Sequence, residues 1–281
     1  MRKLLLPGLA DGRQGNQGRL DDAGCRICYI STPRQAAAIV YGRLLVRKDR
    51  LRGIEIVYED RDVLVVDKPP GLLTMSTDTE KEKTAYYILT DYVRKGYIKS
   101  RNRIFIVHRL DRDTSGLVIF AKNERAKFSL QGQWDKTDKR YIAIVHGILP
   151  DKSGTIATYL TESNARVVHS TTNKSIGKLS TTAYRVLKET NGYSLLEVGL
   201  VTGRKNQIRV HFAEKGHPVV GDKKYGKRDD THKRLALHAR SISFIHPFSG
   251  RRLAFETKVP AYFTGLVGAC PGSKIEMLQM L

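Results

Sequence analysis

The stretch Val107–Lys122, VHRLDRDTSGLVIFAK, decides how this chain is read. Leu117, Val118, Ile119, Phe120 and Ala121 form a continuous, bulky, partly β-branched run, the composition of a strand covered on both faces. The polar residues ahead of it therefore sit at the mouth of a strand. Gly116 permits a tight bend there, and Asp113, Thr114 and Ser115 carry short polar side chains that bond to local backbone in turns. Asp111 is then a carboxylate in an ordered loop, with His108, Arg109 and Arg112 around it and Asp113 as a rival acid. Solvated loop charges are the commonest explanation of such a segment. A kinase catalytic loop is a second, and it fails. Leu110 separates Arg109 from Asp111, no D-F-G follows, and neither a glycine-rich phosphate loop nor V-A-I-K precedes.

With 281 residues the chain is long enough for one large domain with a small appendage. A formal net charge of +21 favours a polyanionic partner through phosphate contacts and counterion release. A basic scaffold protein without catalysis would carry the same charge. Three cysteines are too few for a disulfide framework, which points to a reducing compartment. Cys25 and Cys28 have the spacing of half a zinc site with no second half nearby, so no metal is expected. Pro7 and Gly8 interrupt the apolar run after Met1, and no segment reaches bilayer length. The expectation is a soluble, cytoplasmic protein without membrane contact.

Along the chain, residues 11–32 show little periodicity and are expected to be loosely ordered. Pro33 opens an expected short helix over Ala36–Tyr41, ended by Gly42 and followed by a strand over Leu44–Val46. The first 52 residues hold eleven Lys or Arg against four Asp, which suits an RNA-touching arm. Ile54–Asp60 and Val63–Val66 read as strands, closed by Lys68-Pro69-Pro70-Gly71. A domain therefore starts near Gly53. Apolar spacing predicts helices over Thr84–Tyr97 and Glu124–Trp134, the second packed through Phe128 and Leu130. Lys139–Val145 reads as a strand, residues 150–182 as polar loops and strand edges, and the segments flanking Asn191-Gly192 as a hairpin. Asn206 is placed to cap a helix that buries Ile208 and Phe212.

His108-Arg109-Leu110-Asp111, followed by Thr114-Ser115-Gly116-Leu117, resembles the signature of the RluA family of pseudouridine synthases, which isomerise uridine within RNA. Further motifs agree in order: the K-P-x-G run at Lys68, the K-x-Y run ending at Tyr141, Thr202–His211, Gly221–Gly226 and Leu237-His238-Ala239. The resemblance spans about Val57 to Phe263. Where the family usually has histidine, this chain has Asn206. The resemblance implies an α+β fold, a large mixed and mainly antiparallel sheet flanked by helices, with a central cleft, over residues 53–281. Residues 1–52 would be a basic extension, a reduced or truncated small RNA-binding domain that is partly disordered.

The implied reaction breaks a carbon–nitrogen glycosidic bond, turns the freed base and rejoins it through carbon, which needs no cofactor. It does need a carboxylate, and Asp111 holds the signature position. Such a group adds as a nucleophile, stabilises positive character on the sugar, or takes a proton. By the same resemblance Arg209 pairs with Asp111 and Tyr141 lies in the active site. Lys68, His108, Arg109, Thr114, Arg204, Asn206 and Gln207 are the expected RNA contacts. The resemblance implies a ribosomal or transfer RNA substrate, acted on by a monomer, with the target uridine turned out of its helix and Arg109 entering the vacated space.

Overall fold

The computed structural model describes residues 27–28, 39–41, 51–97, 99–190, 192–227 and 229–270. In chain order the elements are β1 (Ile27–Cys28), β2 (Ile39–Tyr41), β3 (Glu55–Glu59), β4 (Val63–Lys68), α1 (Ala85–Arg94), β5 (Phe105–Ile106), β6 (Ser115–Ala121), α2 (Glu124–Gly132) and β7 (Asp138–His146). They continue with β8 (Ser153–Glu162), β9 (Val168–Thr171), β10 (Lys178–Thr190), β11 (Tyr193–Leu200), α3 (Gln207–Glu214), β12 (Leu237–Ile245), β13 (Arg252–Glu256) and α4 (Ala261–Val267). The strands form one sheet in which β1-β2-β13-β12-β7-β11-β10-β8-β9 run side by side and β6 branches from β12 to reach β4, β3 and β5. Only β12 with β6 and β13 with β2 pair in parallel among the described residues. The expected mixed, mainly antiparallel α+β architecture is the observed one.

The decisive apolar run is β6. It pairs with β4 from Val63↔Ala121 to Lys68↔Gly116, and Leu117 to Ala121 are essentially without exposed surface. Burying Phe120 alone is worth about 2–3 kcal/mol in area transferred from water. At the start of β6 the chain touches β12 so closely that Gly116 is required: φ is +111°, and a Cβ there would lie 2.2 Å from the Ala239 carbonyl oxygen. The side chain of Ser115 meets His238 Nδ1 at 2.8 Å, and His238 Nε2 meets Thr257 Oγ1 at 2.7 Å. Burial pushes the His238 pKa down to about 4, helped by Arg240, so a neutral imidazole ties the two strands.

Helix α1 follows its sequence pattern, with Thr84 accepting from the Tyr87 N–H and Ala85, Ile88, Leu89 and Val93 buried. Helix α2 departs from it. Ala126 and Leu130 are buried, one turn apart, whereas Phe128 lies between them on the opposite face and is 65% exposed, with the Lys127 ammonium over its ring. The segment expected as helix over Ala36–Tyr41 contains β2, whose β-branched and aromatic residues pair with β13 and β1. The strand expected at 44–46, Cys25 and most of the stretch expected to be loosely ordered lie outside the described residues. Residues 150–182, expected as loops and strand edges, carry β8, β9 and the start of β10 at one end of the strand order; threonine's β-branching favours strands, and Ile156, Leu160 and Val168 are buried. No helix among the described residues is long and apolar enough to cross a membrane.

Gly116→Ala should lower unfolding stability by roughly 3 kcal/mol or more, combining overpacking with backbone strain. Gly71→Ala, also at positive φ but with nothing within 4 Å, should cost only about 1–2 kcal/mol. Urea unfolding of both variants checks the difference, and equal losses would contradict the close approach of β6 to β12.

Candidate active site

Asp111 is gripped on both sides by backbone contacts. The Thr74 hydroxyl accepts the Leu110 N–H at 3.2 Å and donates to the Leu110 carbonyl at 2.9 Å, which fixes the preceding peptide. Behind Asp111, the Lys68 ammonium donates to the carbonyl of Arg112 at 3.1 Å, and to those of Pro69 and Leu72 at 2.9 and 2.8 Å. Lys68 has no exposed surface, and burial pushes its pKa down to about 7 against the pull of Asp113, Asp111 and Asp67.

The Asp111 carboxylate is held through one oxygen. Oδ2 accepts from Asn206 Nδ2 at 2.6 Å and from Arg209 Nη1 at 3.1 Å. Among the described residues no hydrogen bond to Oδ1 exists. Arg209 also grips Asp222 with a two-pronged bond, Nε to Oδ2 and Nη2 to Oδ1, both 2.7 Å. Asp222 in turn accepts the Lys224 and Tyr225 N–H groups at 2.9 and 3.0 Å. Burial opposes the Arg209 charge, but the bonds and charges of Asp222 and then Asp111 outweigh it and hold the guanidinium above its ordinary range. Burial likewise opposes the Asp222 charge, and Arg209 with the two backbone donors overcomes it, leaving the carboxyl below its usual value. The loop that carries Asp222 is itself tethered. Asp230 accepts from the Gly221 N–H at 2.7 Å and meets His146 Nε2 and His232 Nδ1 at 2.9 and 2.6 Å.

Asn206 takes the N-cap position of α3 as expected, but its side chain does not cap. It sits at φ +54°, a conformation asparagine tolerates, and turns its amide to Asp111. Tyr225 keeps that amide oriented. Its hydroxyl accepts the Val168 N–H at 3.1 Å and donates to Asn206 Oδ1 at 3.3 Å, while its ring lies 5.2 Å from the Arg209 guanidinium.

A cleft opens on this group as two adjoining hollows of about 230 and 60 Å³. Asp111, Arg109, Asn206 and Arg209 line both; Tyr141, Thr114 and Arg204 line the smaller and Asp113 and Lys224 the larger. Tyr141 is 9% exposed, and burial followed by the Asp111 charge raises its hydroxyl above the ordinary tyrosine range. Arg109, Arg204 and Asp113 are exposed at the rim.

Three expected RNA contacts are placed otherwise. Lys68 spends its ammonium on three carbonyls. Gln207 is 2% exposed, and its amide is bonded to Thr202, the Arg204 N–H, Thr181 and Thr182, so it shapes the loop ahead of α3. His108 accepts the Ile119 N–H at 3.0 Å and stacks near Trp134; burial and then Lys139 push its pKa to about 3, which keeps it neutral. Thr74, Asp222 and Tyr225 are the residues that motif reading passed over. Asp222 and Tyr225 stood inside a recognised run, but nothing in the spacing linked either to Asp111.

A model of the RNA pseudouridylate synthase family matches residues 62–214. The chain is 35% identical over 221 residues to a ribosomal large subunit pseudouridine synthase D of Zymomonas mobilis, covering 74% of this chain and 68% of that protein. It is 35% identical over 224 residues to a ribosomal large subunit pseudouridine synthase C of Buchnera aphidicola, covering 74% and 68%. The solved structure of human RNA pseudouridylate synthase domain containing 1 superposes with a TM-score of 0.61 at 26% identity, covering 77% of this chain and 87% of that one. The chain belongs to the RluA-type RNA pseudouridine synthases, which are isomerases.

The buried Lys68 gives a pH signature. Its folded pKa, about 7, lies below the ordinary 10.5, so between those values the unfolded chain binds more protons and stability rises with pH. That contribution is lost as pH falls through about 7. Lys68→Met should remove it, so the stability advantage of the native protein over the variant should widen from pH 7 to pH 10 in denaturant titrations. A constant gap would show that the amine is not the titrating group.

Proposed function

We propose that Asp111 is the catalytic carboxylate, acting through Oδ1 on the glycosidic linkage of a uridine turned out of its RNA helix. The single observation that supports this is the division of labour between its oxygens: two donors occupy Oδ2, no hydrogen bond among the described residues takes Oδ1, and Asp111 lines the cleft. Arg209 pairs with the carboxylate and aims it, and Asn206 serves as the second donor in the place of the family's usual histidine. Tyr141 offers a ring face for the uracil, and its hydroxyl stays protonated at neutral pH, near the carbon that must lose a proton. Arg109 occupies the space the base vacates, where a planar guanidinium both stacks and hydrogen-bonds. Arg204, Lys224 and the basic segment 1–52 hold phosphates, which gives affinity without base choice. Two relatives are named for the large ribosomal subunit, so ribosomal RNA is the substrate proposed first, with transfer RNA as the alternative. The working form is a soluble cytoplasmic monomer.

Asp111→Asn should leave RNA affinity within about twofold and abolish isomerisation, because the amide presents no anion to the linkage. The readout is a base-resolution pseudouridine map of RNA from a strain lacking the protein, incubated with either form. Retained turnover, or free uracil released in place of isomerised RNA, would refute the assignment. Asn206→Ala removes one charged hydrogen bond worth about 1.5–3 kcal/mol, so kcat/KM should fall roughly 10- to 100-fold. Asn206→His should retain most activity, and a loss equal to that of alanine would count against a donor role.

A further inference from the structure

A hollow of about 670 Å³, larger than either part of the cleft at Asp111, lies away from that cleft. It lies at the other end of β6, between the β3–β4 turn, the C-terminal end of α1 and the loop that follows. Its walls include Arg61, Lys95, Arg103, Lys122, Asn102 and Glu59. β6 separates the two sites: Lys68↔Gly116 marks the Asp111 end and Val63↔Ala121 the far end. At about 3.3 Å per residue that is roughly 17 Å.

The charges in this hollow are not balanced. Glu59, its one lining carboxylate, is already engaged, accepting from Lys122 at 2.7 Å and from the Tyr92 hydroxyl at 2.8 Å. Arg103 meets the exposed Glu124 at 3.4 Å and lies over the Phe105 ring at 4.9 Å. Arg61 and Lys95 are exposed and have no carboxylate partner among the described residues. From Arg94 to Arg103, the segment RKGYIKSRNR holds five cations and no acid. Like charges held this close repel one another unless an anion joins them. The Glu59–Lys122–Tyr92 contacts brace the wall without neutralising the rest.

We propose that this hollow is a second RNA-backbone site, which takes phosphates of the substrate's flanking helix about 17 Å from the target nucleotide, on the order of five steps along a stacked strand. The proposal rests on reading the Asp111 cleft as RNA-acting. It assigns the hollow to affinity and to choice of RNA by extent and shape, since phosphate contacts position a nucleic acid without reading its bases.

The test pairs Arg61→Ser with Lys95→Asn in the full chain; asparagine tolerates the left-handed backbone at Lys95, where φ is +53°. Both side chains are exposed, so the melting midpoint should hold and serves as the folding control. The probes are a hairpin RNA of about 40 nucleotides and a single strand of about 3, too short to reach both sites. Affinity for the hairpin should fall about 10-fold or more, and its log-affinity against log-salt slope should drop by about two, one for each lost phosphate contact. Affinity for the short strand should not change. Equal losses on both probes, or none on either, would overturn the proposal. So would tight binding of inorganic phosphate, or of an acidic protein, with hairpin affinity intact. Because the readout is binding, it stays interpretable if Asp111→Asn keeps its activity: then the cleft reading fails and this one is judged by its salt slope.

Discussion

One guanidinium shared between two carboxylates organises the site. Arg209 is 8% exposed, and a buried charge is tolerated only where its donors find partners of good geometry. Asp222 supplies most of that partnership. Its side chain has no exposed surface, it takes two donors of Arg209 and it accepts two backbone N–H groups besides. Asp111 receives only the remaining Nη1, and its side chain is 21% exposed. The two acids therefore differ in kind: Asp222 satisfies the arginine, and the arginine then aims Asp111.

Holding Asp111 this way draws on segments distant in sequence, and each is fixed by a different device. The loop before β6 is pinned by the Thr74 hydroxyl and the Lys68 ammonium, the amide of Asn206 by Tyr225, and the Asp222 loop by Asp230. Lys68 is the costly member, because burying an ammonium costs several kcal/mol before its hydrogen bonds return any of it. Three carbonyls accept all three of its protons, whereas a neutral amine has only two to give. That burial stiffens the loop from beneath while leaving its polar face open.

Much of the fold was legible because strands and helices advertise their burial through periodicity. β4, β6 and β7 appear as apolar runs, and α1 as a repeat of three and four. Phe128 misled because a hydrophobic residue inside a helix pattern does not say which face it occupies; the Ala126–Leu130 stripe settles that. Residues 150–182 were legible only as loops and strand edges, because the few apolar residues that β8 and β9 bury, Ile156, Leu160 and Val168, are too sparse to mark the strands' extent. In the site, the Asp111–Arg209 pairing was expected from motif resemblance and is present in the geometry. The placements of Lys68, Gln207 and His108 were not legible. A lysine or amide in a motif looks the same whether it will meet a phosphate or a carbonyl, and only the tertiary structure decides which acceptor it finds.

The distribution of charge separates holding the RNA from acting on it. A carboxylate repels the phosphates near it, so a chain that presents Asp111 to RNA, as proposed, must overcompensate elsewhere, and the net charge of +21 is consistent with that demand. The compensation cannot come from Arg209 or Lys68, whose charges are consumed by Asp222, Asp111 and backbone carbonyls. On the proposed reading it falls to cations on the rim and beyond, such as Arg109, Arg204 and Lys224 and the cluster around Arg61 and Lys95. These sit in solvent, where salt screens them over about 10 Å, while the interior pairs are shielded from it. Ionic strength should therefore act on how much RNA is bound far more than on how Asp111 is aimed. A fold with the opposite arrangement, in which phosphate-binding arginines also steadied the acid, would lose its chemistry whenever it lost its grip.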